Sequence, residues 1–163
     1  MPRTATDAET RIASDDHAAI RLWLRMLATN RLIETRMRRL LQERYETTLP
    51  RFDLMAQLER VPGGLKMGEL SRRMMVTGGN VTGITDMLEQ EGLVERVDDP
   101  DDRRAWLVKL TPAGRRAFVG MAREHERWIV EALGALGARE MSVMAGFLGR
   151  LKTRARSLEG RDT

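Results

Sequence analysis

The 163-residue sequence has no cysteine. That excludes disulfides, thiol-based redox sensing, iron–sulfur clusters and zinc–thiolate sites. Histidine is scarce as well: His17 and His125 are too few for a His-based metal centre. Aromatic residues make up only 4% of the chain, so the core must be assembled from Leu, Val, Ile, Ala and eleven Met. No apolar run is long enough to span a membrane. The N-terminal stretch "MPRTATDAETRIASDD" lacks the apolar centre of a signal peptide, so the expected location is the cytoplasm. No nucleophile–base arrangement, metal-ligand cluster or nucleotide fingerprint is present. The glycine-rich "TGGNVTG" has no lysine after its glycines and no strand before it, unlike a phosphate loop. Neither catalytic residues nor a metal or cofactor is expected, and the protein does not read as an enzyme.

Hydrophobic residues make up 42% of the sequence and charged residues 32%, enough for a helix-rich globular chain. The formal net charge is +4, unevenly spread: the excess is positive in 20–51 and 112–163, while 66–111 carries seven cations against nine acids. A basic protein suits a polyanion, but an acidic middle segment does not make a simple basic patch.

Residues 16–46 contain neither Pro nor Gly, and Leu22, Met26, Ile33, Met37, Leu40 and Arg44 recur near a 3.6-residue period. The pattern predicts one helix about 45 Å long, capped by Asp15 or Asp16. That is too long for a packing helix of a small domain, and it points to dimerisation. A second helix is expected over 49–61 with Pro50 in its first turn, a third over 66–75, and a fourth over 76–94 with Val81, Ile84 and Leu88 inward and Gly92 as its stop. Two apolar runs then flank "DDPDDRR", the tip of a hairpin. Thr111 and Pro112 start a fifth helix, and a last helix over 139–158 places Met144, Phe147, Leu148, Leu151, Ala155 and Leu158 on one face.

Helix, turn, helix and hairpin in that order predict a mainly α fold with a small β-hairpin wing. This is a winged helix-turn-helix flanked by N- and C-terminal dimerisation helices. The expected division is a flexible tail over 1–15, dimerisation helices over 16–48 and 112–163, and the winged region over 49–111. In such an arrangement the second helix enters the major groove of duplex DNA. Its outward residues, Asn80, Thr82, Gly83 and Asp86, include side chains that can address base edges or a thymine methyl. Thr77 is the expected N-cap, beside free N–H groups able to meet a phosphate. Glycines at 78, 79 and 83 each cost about 1 kcal/mol of helix propensity. Two explanations stand: Gly79 and Gly83 let a backbone approach DNA closely, or the first turn frays and Gly83 packs against the preceding helix. Lys66, Ser71, Arg72 and Arg73 are candidate phosphate contacts. Arg103 and Arg104 at the wing tip suit a narrow minor groove, and Asp102 suits a brace that fixes one of them.

"ELSRRMMVTGGNVTGITDMLEQEGLVERVDDPDDRRAWLVKLTPAGRRAF" resembles the core of MarR-family transcriptional regulators. The resemblance is carried by Glu69-Leu70, the Val81/Thr82/Leu88/Glu91-Gly92-Leu93-Val94 frame, the Asp102-x-Arg104 wing and Leu110-Thr111-x-x-Gly114, and it covers about residues 20–155. It implies a homodimer reading a palindromic operator, with an effector pocket between dimer helices and reading lobe. Arg104 matches the family's wing-tip arginine and Asp102 its partner. Met87 departs from an arginine common there, which removes one phosphate contact. "LPRFDLMAQLER" further resembles a branch controlling aromatic-acid catabolism, with repressors relieved by hydroxycinnamoyl-CoA thioesters. In that case Arg21, Arg25, Arg31 and Arg36 would meet a carboxylate or CoA phosphates, and Trp23 and Phe52 would line a ring pocket. Solvated helix faces for the arginines and a core or dimer contact for Trp23 are the plainer alternatives. The absence of cysteine excludes a peroxide-sensing relative. Other readings are a ligand-independent winged-helix repressor or architectural protein, and a winged helix used only for protein contacts.

Overall fold

The computed structural model describes residues 17–74 and 78–159, and only the backbone of Arg103, Arg104 and Glu159. The expected tail 1–15, the caps Asp15 and Asp16, and Thr77 lie outside the described residues. The elements are α1 (Ala18–Tyr45), α2 (Leu49–Glu59), β1 (Leu65–Lys66), α3 (Met67–Met74), α4 (Gly78–Gln90), β2 (Val94–Asp99), β3 (Asp102–Leu110), α5 (Pro112–Leu133) and α6 (Ala138–Glu159). One compact unit ends at Glu126 and a second starts at Arg127.

In the first unit, α1 buries only Met37 and Leu41, near its C-terminal end. Leu22, expected inward, is 53% exposed, and Ile20, Trp23 and Leu32 are exposed with it. Pro50 sits at the start of α2, where its missing N–H has no helical partner to lose. Helix α4 buries Val81, Ile84, Thr85 and Leu88, as the 3.6-residue stripe requires. It ends where Gly92 turns left-handed (φ +69°), with the N–H of Leu93 bonded back to the Leu88 carbonyl at 2.9 Å.

The sheet has three antiparallel strands in the order β1-β3-β2, one more than the hairpin read from the sequence. Lys66, placed at a helix start by that reading, belongs to the short added strand, opposite Leu107. Val94, Val108 and Leu110 are buried beneath the helices. The hairpin register is regular from Val94↔Leu110 to Asp98↔Trp106, then jumps to Asp99↔Asp102. Residues 103–105 therefore stand outside the ladder, a bulge of the kind that re-aims side chains at sheet edges.

Thr111 makes the joint between wing and α5. Its hydroxyl donates to the Gly92 carbonyl (2.7 Å) and accepts the N–H of Gly114 (2.9 Å), so one side chain caps α5 and ties it to the end of α4.

In the second unit, α6 exposes Met144, Phe147, Leu148 and Leu151, between 44% and 52% each. The one-faced pattern read from the sequence is present, but the described chain does not cover it.

Candidate nucleic-acid interface

The inward stripe of α4 fixes what its other face can present. Asn80, Thr82, Gly83 and Met87 are exposed. The Thr82 hydroxyl donates to the Gly78 carbonyl (3.1 Å), which leaves its oxygen lone pairs and methyl group to meet a partner. A Cβ at Gly79 or Gly83 would meet nothing within 4 Å, so Gly83 is not packed against α3. No close neighbour within the chain requires glycine at these positions, and the backbone here is open to close approach.

Asp86, read as part of this outward set, is turned to the sheet. Arg96 of β2 forks onto the carboxylates of Asp86 and Glu89, and its backbone N–H donates to Glu89 Oε1 at 3.2 Å. The two acids stand one helical turn apart, a spacing that presents both to one cation. Their negative charge raises the already high pKa of the Arg96 guanidinium, the hydrogen bond it donates to Asp86 being the largest cause. The fork clamps the exposed helix to the wing. Replacing Arg96 by methionine strands both carboxylates and is expected to lower unfolding free energy by about 1–2 kcal/mol. Urea denaturation reads this, and an unchanged midpoint would show that the fork contributes nothing to stability.

The same pairing explains the acidic middle segment. At least six of its nine acids have cationic partners among the described residues: Glu69 with Arg73, Asp86 and Glu89 with Arg96, Glu91 with Arg51, Glu95 with Lys109, and Asp99 with Lys66. These acids are thus held in short-range pairs with cations, of which only Arg51 comes from outside the segment. Some of the candidate cations are engaged too. Lys66 Nζ is 2.8 Å from Asp99 Oδ2, and Arg73 holds Glu69 at 2.7 Å. Arg72 is exposed on α3, and Ser71 is half-buried with its Oγ 3.8 Å from the Cβ position of Gly78.

At the wing, Arg103 and Arg104 lie in the bulge, and Asp102 is the exposed first residue of β3. The brace expected of Asp102 concerns arginine side chains outside the described residues. Asp99 does show a bracing geometry: it is 5% exposed and its Oδ1 accepts the N–H of Asp101 at 2.9 Å. Lys66 and the turn amides hold its carboxyl below the usual carboxylate range, the Lys66 hydrogen bond first among the causes.

The candidate effector residues separate. Arg21 and Arg36 are half-buried on α1, Arg25 and Arg31 exposed, and Trp23 is 58% exposed. Phe52 is instead 5% exposed, with its ring 5.4 Å from Phe118 and 4.5 Å from His125, centroid to centroid. It is a packed core ring, not a wall of an open pocket, because α5 brings two further rings onto it. Burial pushes the His125 imidazole below its ordinary pKa.

A model of the MarR family matches residues 47–106. The uncharacterized HTH-type regulator YdgJ of Bacillus subtilis is 28% identical over 95 residues, and the match spans 58% of each chain. The transcriptional activatory protein BadR of Rhodopseudomonas palustris is 29% identical over 162 residues, 93% of this chain and 91% of that one. Among solved structures, a MarR family transcriptional regulator from Silicibacter pomeroyi is 34% identical, with a TM-score of 0.71 over 86% of this chain and 99% of that one. A variant of E. coli MarR complexed with operator DNA shares the fold at 22% identity, with a TM-score of 0.74 over 85% of this chain and 99% of that one.

Proposed function

Because the chain belongs to the MarR family of transcriptional regulators, we propose that it is a homodimeric repressor of palindromic duplex DNA, released by a small aromatic carboxylate or its CoA thioester. The observation that carries the DNA part is the open face of α4, with Asn80, Thr82 and Gly83 exposed beside a bulged wing that carries Arg103 and Arg104. Residues 49–111 act as the reading lobe. Arg72 and Ser71 contact phosphates, and the α4 face reads base edges.

The apolar face of α6 supports the dimer. A contiguous patch of this kind is rarely left wet on a monomer. Residues 16–48 and 112–163 form the dimer arms, and two copies of α4 then stand roughly 34–36 Å apart, one turn of DNA. Arg21 and Arg25, one turn apart on α1, supply cations and the exposed Trp23 supplies a ring for an aromatic acid, with Arg31 and Arg36 further along the helix. Phe52 is core packing and takes no part in this surface. The effector acts only through its differing affinity for two arrangements of the reading lobes. The proposed setting is the cytoplasm; no helix among the described residues is long and apolar enough to cross a membrane.

Selection from randomised duplex, followed by fluorescence anisotropy with the selected site, tests this reading. A palindrome is expected to emerge. Arg104→Ala is expected to weaken its binding by on the order of tenfold or more while the dimer persists in sedimentation. Benzoate- or cinnamate-type acids, or their CoA thioesters, are expected to release the DNA. Failure to enrich any site removes the regulator reading. An enriched site indifferent to the whole panel leaves a ligand-independent DNA-binding protein.

A further inference from the structure

We infer that Lys66 and Asp99 form a latch that holds the wing turn in its DNA-reading shape, so that a buried aspartate, by its negative charge, strengthens binding to a polyanion. This deepens the DNA-binding reading above and rests on it.

Both carboxylate oxygens of Asp99 are engaged. Oδ1 accepts the N–H of Asp101 across the turn at 2.9 Å, and Oδ2 meets Lys66 Nζ at 2.8 Å. Asp98, Pro100, Asp101 and Asp102 around it are exposed, whereas Asp99 is 5% exposed. It sits where the β2–β3 register breaks, directly across from Asp102, the residue that precedes the bulge carrying Arg103 and Arg104. A carboxylate that orders the turn amides thus fixes the backbone shape of the bulge to which those arginines belong.

Lys66 gives the latch its second end. It belongs to β1, on the far side of β3 from β2, and the next residue starts α3, the first helix of the helix-turn-helix. One ion pair therefore ties the tip of the wing to the root of the helices that set α4. With its ammonium held by Asp99, Lys66 is a positioning residue and not a phosphate ligand.

Charge counting and the latch predict opposite signs for one substitution. Removing a negative charge near DNA should tighten binding if only the field matters. If the latch operates, Asp99→Asn weakens binding to the selected operator by about tenfold and leaves affinity for unrelated duplex unchanged or higher. Asp98→Asn, on the same strand but outside the latch, serves as the charge control and does not weaken binding. Lys66→Met weakens operator binding as Asp99→Asn does, and the double variant is no worse than either single one. The slope of log affinity against log salt stays at the wild-type value in Lys66→Met, whereas a lost phosphate contact would reduce it by about one.

Amide hydrogen exchange supplies a readout that needs no DNA. The Asp101 amide exchanges faster in both single variants while amides of α4 keep their protection. Tighter operator binding by Asp99→Asn, additive effects in the double variant, or a salt slope lowered by Lys66→Met would each overturn the latch. Wild-type protein that enriches no DNA site would overturn the regulator reading, and unchanged Asp101 exchange would then overturn the latch separately.

Discussion

Gly114→Ala is expected to leave the protein largely unfolded at ambient temperature, or to lower its stability by at least about 3 kcal/mol. A Cβ built on Gly114 lies 1.8 Å from the Leu93 carbonyl oxygen and 2.8 Å from its carbon. Both are backbone atoms, so no rotamer change relieves the clash. Nor can the segment easily move aside. The Leu93 carbonyl accepts the Thr111 N–H at 3.1 Å, the Leu93 N–H is bonded to Leu88, and the Thr111 hydroxyl grips Gly92 while capping Gly114. Moving Leu93 by the required distance breaks the stop of α4, the cap of α5 and the start of β2 together. A domain of this size has only about 5–15 kcal/mol in hand. Gly83→Ala makes the contrast: its Cβ meets nothing, and helix propensity alone should add about 0.5–1 kcal/mol. Urea midpoints of the two variants should move in opposite directions. If Gly114→Ala denatures at the wild-type midpoint, the close packing described at Leu93 is wrong.

A glutamate in place of Leu148 or Leu151 is expected to turn the proposed dimer into monomers and to lower operator affinity at least about a hundredfold. Either side chain is close to half exposed in the single chain. Burying a leucine fully is worth roughly 1.5–3 kcal/mol, and a two-fold interface contains every position twice. The substitution also places a pair of carboxylates in an apolar seam, where an unpaired charge costs more than the lost contact. Sedimentation velocity at micromolar concentration measures the first effect and anisotropy with a palindromic duplex the second. A dimer that survives both substitutions would place the interface elsewhere. A wild-type chain that sediments as a monomer would remove the two-site geometry altogether.

Local pattern carried the order of the elements. The Val81/Ile84/Leu88 stripe, the stop at Gly92 and the start at Thr111-Pro112 stand where short-range stereochemistry puts them. Features made by distant partners did not show. Strand β1 has two residues and so no period, and it exists only because β3 pairs with it from some forty positions away. Four aspartates crowd the wing turn, and alternation could not single out Asp99 as the buried one, since the register jumps at that residue. Asp86 lies on the outward arc of its helix, yet its side chain reaches back to Arg96, a cation the sequence reading gave no role. Phe52 looked available to a ligand until Phe118 and His125 closed on it from α5. The spacing of Asp86 and Glu89 along one helix face was a signal that could have pointed to a bridging cation.

The pairing of six acids within residues 66–111 bears on kinetics. A lobe whose charges are mostly compensated at home exerts little pull on a polyanion at a distance, so the initial capture of DNA falls to the cationic excess of 20–51 and 112–163. Added salt should then slow arrival far more than it hastens departure, because in the proposed complex residence depends on short-range fit at α4 and the wing, where screening has little reach.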